Sequence, residues 1–462
     1  MKLSSPEGRW LVTAMVLASG MAFLDGSIVS LALPAIDREL DAGVVGLQWT
    51  VNGYTLTLAA LILVGGSLGD RLGRRRIFIV GVTWFALASI LCAAAPSIEV
   101  LVAARALQGI GGALLTPGSL AIISASIDPA DRGRAIGVWA GLAGVTTAIG
   151  PLVGGWLVDT VGWRWVFWMN IPLALAIVVI SFRHVPETKG SQERIDVGGA
   201  VLTVASLTFL TYGLVAQQWL PSIAGVAILI AFVLHQRRTP HALVPLELFA
   251  DRVFTAANIC TFAIYGALTG VFFLLVLQLQ YVSGYSPLEA GLATLPPTIL
   301  MLLFSARAGA LGQRLGPRWP MTFGPFIMAL GLLLYLRIDG DPHFVLDVLG
   351  GGVVFGIGLT LLVAPLTTAV LASAPADQTG IASGINNAVA RTAGLIAVAA
   401  LPPIAGIAGS DFASPEVFSP GFRTGTLICA AMLAVAGLLA AALIQKPKRF
   451  DEVVQAPETD VV

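Results

Sequence analysis

Apolar residues fill this chain in long runs, and polar or charged residues mark the breaks between them. Runs of membrane-spanning length fall at roughly 10–33, 48–69, 77–96, 99–125, 135–158 and 164–182. Two shorter runs follow at roughly 196–217 and 219–235. Six more lie at about 253–281, 288–311, 319–337, 344–372, 379–408 and 423–444. The pattern predicts about fourteen transmembrane helices in an all-α polytopic membrane protein.

An internal repeat divides these runs. Gly69-Asp70-Arg71-Leu72-Gly73-Arg74-Arg75 reappears as Gly312-Gln313-Arg314-Leu315-Gly316-Pro317-Arg318, and Pro129-Ala130-Asp131 reappears as Pro375-Ala376-Asp377. Both displacements are about 245 residues, the signature of a duplicated unit. The same shift carries the first run onto the ninth, so the middle pair is an insert. The expected organisation is an N-terminal six-helix bundle over 1–190, an inserted helix pair with its linkers over 191–252, and a C-terminal six-helix bundle over 253–445. The polar tail, 446–462, is expected to be disordered.

Composition agrees, with 56% hydrophobic residues, 11% charged residues and a mean hydropathy of +0.87. No basic domain suggests nucleic acid. Cys92, Cys260 and Cys429 lie in apolar runs and the four histidines form no ligand-spaced cluster, so neither disulfides nor a metal are implied. Basic residues gather in alternate loops, including Arg71, Arg74 to Arg76, Arg132, Arg134, Arg237, Arg238 and Lys446. Arg38, Arg164, Arg337 and Arg423 lie on the other side. The excess predicts an inner (plasma) membrane protein with both termini cytoplasmic.

Within the runs a few polar residues stand out. Asp25 is the single acid of the first run and costs a few kcal/mol in hydrocarbon unless it faces a cavity or a partner. Arg105 lies about 9 Å into the fourth helix and Asp25 about 12 Å from the end of the first, so the two share a depth. Burial favours a proton on Asp25, whereas a nearby guanidinium favours the carboxylate. The pair is either a proton-coupling switch or a permanent structural ion pair. Arg391 is deep in the thirteenth helix beside Asn386 and Asn387, and either lines a cavity or bonds helix carbonyls and those asparagines. Gln278 and Tyr265 are further candidates for a substrate cavity. Glu289, near an outer helix end, is either an outer-gate group or a wetted surface acid.

Several stretches carry a family resemblance. The loop Gly66-Ser67-Leu68-Gly69-Asp70-Arg71-Leu72-Gly73-Arg74-Arg75-Arg76 resembles the signature loop of the major facilitator superfamily. Phe23 to Pro34 is similar to the first-helix signature of its fourteen-helix drug:proton antiporters, with Ser27 and Ser30 where Thr and Asn are usual. Leu101 to Gly112, with Arg105, Gln108 and Gly109, resembles the fourth-helix signature. Trp163 to Pro172 and Gly284 to Gly291 also match that family's stretches. Gly137, Gly150, Pro151, Gly154 and Gly155 match its fifth-helix antiporter pattern, with Thr146 replacing one expected glycine.

The resemblance implies the major facilitator fold, two pseudo-symmetric six-helix bundles plus two inserted helices, and no enzymatic activity. It implies a proton-coupled antiporter that exports lipophilic or amphipathic molecules, such as drugs, antibiotics or secondary metabolites, as a functional monomer in the lipid bilayer. Asp25 and Arg105 are then the coupling pair. Gly66, Asp70, Arg71, Gly73 and Arg74 form the cytoplasmic gate, and the fifth-helix glycines with Pro151 the hinge. No Gly-Lys-Ser/Thr loop is present, so the proton gradient takes the place of a cofactor. One charge moving down 100 mV supplies about 2.3 kcal/mol, roughly fiftyfold accumulation of a neutral solute. Proton-coupled uptake and a transport-dead sensor or scaffold on the same fold are the competing expectations.

Overall fold

The computed structural model of the chain describes residues 1–190, 196–240, 242–375, 378–409 and 412–444. The tail over 446–462 and the repeat residues Ala376 and Asp377 lie outside the described residues. Among the described residues there are sixteen α-helices and no strands. A chain in hydrocarbon has no water to satisfy backbone N–H and C=O groups, and the helix satisfies them within one segment.

The first half comprises α1 (Pro6–Leu40), α2 (Gly43–Leu72), α3 (Arg74–Ala93), α4 (Ile98–Ser126), α5 (Pro129–Thr160), the short α6 (Trp165–Trp168) and α7 (Asn170–His184). Next come α8 (Val197–Val215) and α9 (Trp219–Gln236). The second half comprises α10 (Arg252–Leu277), α11 (Pro287–Ala293), α12 (Leu295–Leu315), α13 (Arg318–Tyr335), α14 (Gly350–Ala372), α15 (Thr379–Ile404) and α16 (Pro415–Leu443).

Thirteen spans among the described residues are long and apolar enough to cross a membrane. In that count α6 and α7 form one crossing and α11 and α12 another. The fourteenth expected run is α13, which has 18 residues, opens on Arg318 and packs between α14 and α16. Helices outrun the apolar runs because their ends are set by caps rather than by hydropathy. Ser5 Oγ accepts from Gly8 N–H at 3.1 Å to begin α1, and Asp251 Oδ1 accepts from Phe254 N–H at 2.8 Å to begin α10.

In the first half α1 packs on α5 and α7, while α4 packs on α2 and α3. In the second, α10 packs on α15 and α16, and α14 on α12 and α13. Helices α8 and α9 pack on each other, and α8 touches both α2 and α15. The halves meet mainly where α2 crosses α15 and where α5 crosses α11 and α12.

Those crossings are tightest at the end where α1 finishes. Gln48 Nε2 donates to the Val398 and Ala399 carbonyls at 2.7 and 3.1 Å, and Gln280 Nε2 to the Leu31 carbonyl at 3.1 Å. The Tyr281 hydroxyl donates to Asp37 Oδ2 at 2.6 Å. Toward the other end of α5, a methyl group built on Gly133, Gly137 or Gly141 would meet nothing within 4 Å. The halves are joined at the end where α1 finishes; at the other, α5 stands clear at those glycines, while a methyl group on Gly384 of α15 would still stand 2.9 Å from Leu63 of α2.

Asp196 ties the α8–α9 pair together. Its carboxylate accepts from Gly199 N–H at 2.8 Å and Gln236 Nε2 at 2.7 Å, and lies 2.8 Å from His235 Nε2. Burial pushes this carboxyl up, but the bonds from His235, Gly199 and Gln236 outweigh it and hold it below the usual carboxylate range. Its contribution is therefore complete above the ordinary carboxylate value and fades as pH falls through the depressed one. Asp196→Ala removes the cap, so it is expected to cost about 1 kcal/mol at neutral pH. A lower melting temperature of the purified protein checks this, and the deficit should shrink on acidification.

Candidate functional site

The most enclosed polar cluster in the first half surrounds Asp25. Asp25 and Arg105 are each 1% exposed. Arg105 Nη1 donates to Asp25 Oδ2 at 2.5 Å and to Gln108 Oε1 at 2.5 Å, while its Nε donates to the Thr50 carbonyl at 3.0 Å. Gln108 Nε2 donates to Asp25 Oδ1 at 2.8 Å and to Ser89 Oγ at 2.9 Å. Asn170 Nδ2 donates to the same two atoms at 3.2 and 3.3 Å. Ser89 passes its own proton to the Phe85 carbonyl at 2.8 Å. The guanidinium also lies 4.5 Å over the Tyr54 ring and 5.8 Å from that of Phe167.

Sequence and helix geometry explain this convergence. Arg105 and Gln108 are three residues apart on α4 and so share a face. Asn170 is the first residue of α7, immediately after Met169 separates that helix from α6. Both carboxylate oxygens therefore face donors in an apolar surround, and the pair is neutral as a unit. Removing one member leaves an uncompensated buried charge, which is far more costly than the pair itself.

Arg391 stands across the seam from this cluster, its guanidinium 6.0 Å from the Phe23 ring. Among the described residues no acid lies within ion-pair distance of it. Asn386 Nδ2 donates to Asn258 Oδ1 at 3.1 Å and Thr261 Oγ1 at 2.8 Å on α10. Asn387 is exposed and Tyr265 half-buried. Gln278 is fully buried; its Nε2 reaches Ser419 Oγ at 3.5 Å and its Oε1 has no partner. Asn52 on α2 is fully buried with neither side-chain polar atom bonded.

The loop between α2 and α3 is built on Gly73, whose φ of 118° L side chains rarely adopt. A methyl group there would also stand 2.7 Å from a Glu187 carboxylate oxygen. Glu187 accepts from Arg75 N–H at 3.0 Å and Arg76 N–H at 3.2 Å, placing negative charge on the α3 N-terminus. Asp70 is paired with Arg74, at 2.7 Å from both Nε and Nη2, while Arg71 is exposed. Gly66 makes ordinary contact with Pro117 on α4.

The fifth-helix residues separate into two groups. A methyl group on Gly154 would meet Ile28 of α1 at 2.5 Å, and one on Gly155 would meet the Leu288 backbone of α11 at 2.6 Å. Gly150 faces Leu24 of α1, and the Pro151 carbonyl lies 2.5 Å from where a Gly291 methyl would stand. Gly137 faces open space and makes no such approach. Glu289 is exposed; its Oε2 accepts from Ser286 N–H at 2.8 Å while Ser286 Oγ accepts from Glu289 N–H at 3.3 Å. That reciprocal capping box occupies its carboxylate at the start of α11.

Sequence reasoning overlooked Ser89, Asn170 and Glu187 and gave Gln108 no role. The three-residue spacing of Gln108 from Arg105 was a usable signal. Ser89 carried none, because a serine in a membrane helix usually bonds its own preceding turn, as it also does here.

Comparison with known proteins follows this geometry. The family model described as Major Facilitator Superfamily matches residues 15–398 and 258–460. The chain is 37% identical to the "Multidrug resistance protein Stp" of Mycobacterium tuberculosis, over 80% of this chain and 70% of that one. It is 33% identical to the "Tetracenomycin C resistance and export protein" of Streptomyces glaucescens, over 86% and 76% of the two chains. The "Methylenomycin A resistance protein" of Bacillus subtilis is 33% identical over 86% and 87%. Among solved structures, a POT family transporter in complex with 5-aminolevulinic acid superposes with a TM-score of 0.71 at 14% identity, covering 96% and 99%. A bacterial homolog of the human lysosomal transporter Spinster, in an inward-facing conformation, gives 0.67 at 15% identity, covering 95% and 97%.

Arg105→Met strands the Asp25 carboxylate and is expected to destabilise the protein by about 3–5 kcal/mol. The double variant Asp25→Asn with Arg105→Met removes the stranded charge and is expected to recover most of that loss. Thermal unfolding of the purified variants checks both values.

Proposed function

The chain belongs to the major facilitator superfamily, and from that premise we propose that it is a proton-coupled antiporter exporting lipophilic or amphipathic small molecules. It is a multi-pass membrane transporter rather than an enzyme, and its relatives carry names of drug and antibiotic resistance and export. Those names favour export over uptake as the direction here.

The observation that carries proton coupling is the Asp25 site. A carboxylate buried in a membrane helix, held by one guanidinium and two amides, has two states whose energies are set by opposing terms. The proton removes the charge that hydrocarbon disfavours, and Arg105 favours its return. A change in the contacts around α1 and α4 shifts that balance, so proton binding and conformation are linked.

In this reading residues 1–190 and 253–445 rock as two units, the α8–α9 pair stands outside the transport path, and both termini are cytoplasmic. The end bonded by Gln48, Gln280 and Tyr281 then faces outward. Gly150, Pro151, Gly154 and Gly155 are the outer hinge contact with α1 and α11. Gly66, Asp70, Arg71, Gly73 and Arg74 belong to the cytoplasmic gate, with Glu187 fixing its loop. Arg391, Tyr265 and Asn387 line the passage. Asn386 and Gln278 serve by bracing α10, and Glu289 by capping α11. Gly137 lies in the open half of the hinge, where closure toward the cytoplasm brings α5 against the second half.

Proteoliposomes with an imposed pH gradient, tested with fluorescent cationic, anionic and neutral dyes, examine this function directly. Gradient-driven dye movement is expected from the parent protein, and its loss both from Asp25→Asn and from the double variant with Arg105→Met, which leaves no stranded guanidinium and should insert and fold. Full movement by Asp25→Asn would remove Asp25 from the coupling role.

A further inference from the structure

We propose that Asn170 is the positioning residue that reads the protonation state of Asp25, by turning its side-chain amide from donor to acceptor when the proton arrives. The inference rests on the proton-coupling reading of Asp25 and adds a residue to it.

The groups bonded to the carboxylate are all donors. Three N–H groups converge on the Asp25 carboxylate, from Arg105 to Oδ2 and from Gln108 and Asn170 to Oδ1. This suits an ionised carboxylate, which only accepts. A proton on Oδ1 would face two amide N–H groups, so one amide must turn its oxygen toward it.

Gln108 is locked against that rotation. Its Oε1 accepts from Arg105 at 2.5 Å, and its NH₂ serves both Asp25 and Ser89 at 2.8 and 2.9 Å. Turning it would set the NH₂ against the guanidinium. Ser89 is held by its bond to the Phe85 carbonyl. Asn170 has only two long bonds, at 3.2 and 3.3 Å, both from the same nitrogen. Half a turn about its terminal torsion puts Oδ1 where Nδ2 stands and lets it accept from a protonated Asp25.

The position of Asn170 gives the rotation an outlet. It begins α7 at the α6–α7 break, and α7 packs on α1 and α3. The titratable groups facing the cluster are Arg105 on α4, Tyr54 on α2 with its ring against Arg105, and Cys92 on α3, whose sulfur is 3.8 Å from Gln108 Oε1. Arg391 on α15 approaches α1 at Phe23. Among the described residues, α5, α6, α7, α10 and α11 bring no charged side chain to the carboxylate.

The direct readout is the Asn170 amide itself, because it donates to the ionised carboxylate and would accept from the protonated one. The test is pH-difference infrared spectroscopy of the purified protein in lipid, with the Asp25 carboxylic band identified by its loss in Asp25→Asn. The absence of any Asp25 band in the parent overturns the inference.

The parent and Asn170→Ser, whose hydroxyl both donates and accepts, decide. An amide carbonyl band that shifts in step with the Asp25 band in the parent and is missing from Asn170→Ser supports the rotation. Its absence from the parent overturns it. Dye transport by Asp25→Asn is scored separately, so a failed coupling role and a failed Asn170 role give different results.

Discussion

A charge inside hydrocarbon must be neutralised where it stands, and in this protein that constraint falls on Asp25 and Arg105. The pair draws in groups from five helices or their breaks: the Thr50 carbonyl and the Tyr54 ring on α2, and the side chains of Ser89 on α3, Gln108 on α4, Phe167 on α6 and Asn170 on α7. The first half is thus pinned at one depth by polar bonds, while apolar packing fills above and below. In the proposed coupling, movement of α1 relative to α4 disturbs the charge balance, and a change in the charge balance biases that movement.

The second constraint is closeness of approach. At the joined end, α5 meets α1 through Gly154 and α11 through Gly155, where any larger side chain would collide. Hydrogen bonds from Gln48, Gln280 and Tyr281 cross the same end. A backbone contact without long side chains can separate with little rotamer rearrangement, which suits an interface that must form and part. Arg391 approaches Phe23, two residues from Asp25 on α1, so Arg391 and the charged pair meet the same helix.

Much of the fold was legible because hydropathy reports membrane depth directly. Helix ends were not, since Ser5, Asp196, Asp251 and Ser286 decide them by capping and not by polarity of the run. Shared depth brought Asp25 and Arg105 together on paper, and the helices have the same arrangement. Asn170 was hidden by a helix break that no periodicity announces, and Glu187 because its partner helix end is 112 residues earlier. Asn386 and Glu289 read as candidates from their depth along a helix, beside Arg391 and near an outer end. Their actual partners, Asn258 and Thr261 for one and its own helix end for the other, depend on tertiary packing and local capping.

The central claim is that substrate and proton movements are linked in opposite directions. The most direct measurement loads proteoliposomes with a dye the protein carries, at equal pH on both sides, and follows lumenal pH as the dye flows out. The account predicts that the lumen acidifies in proportion to dye efflux. Efflux with lumenal pH unchanged, or moving the other way, would contradict it.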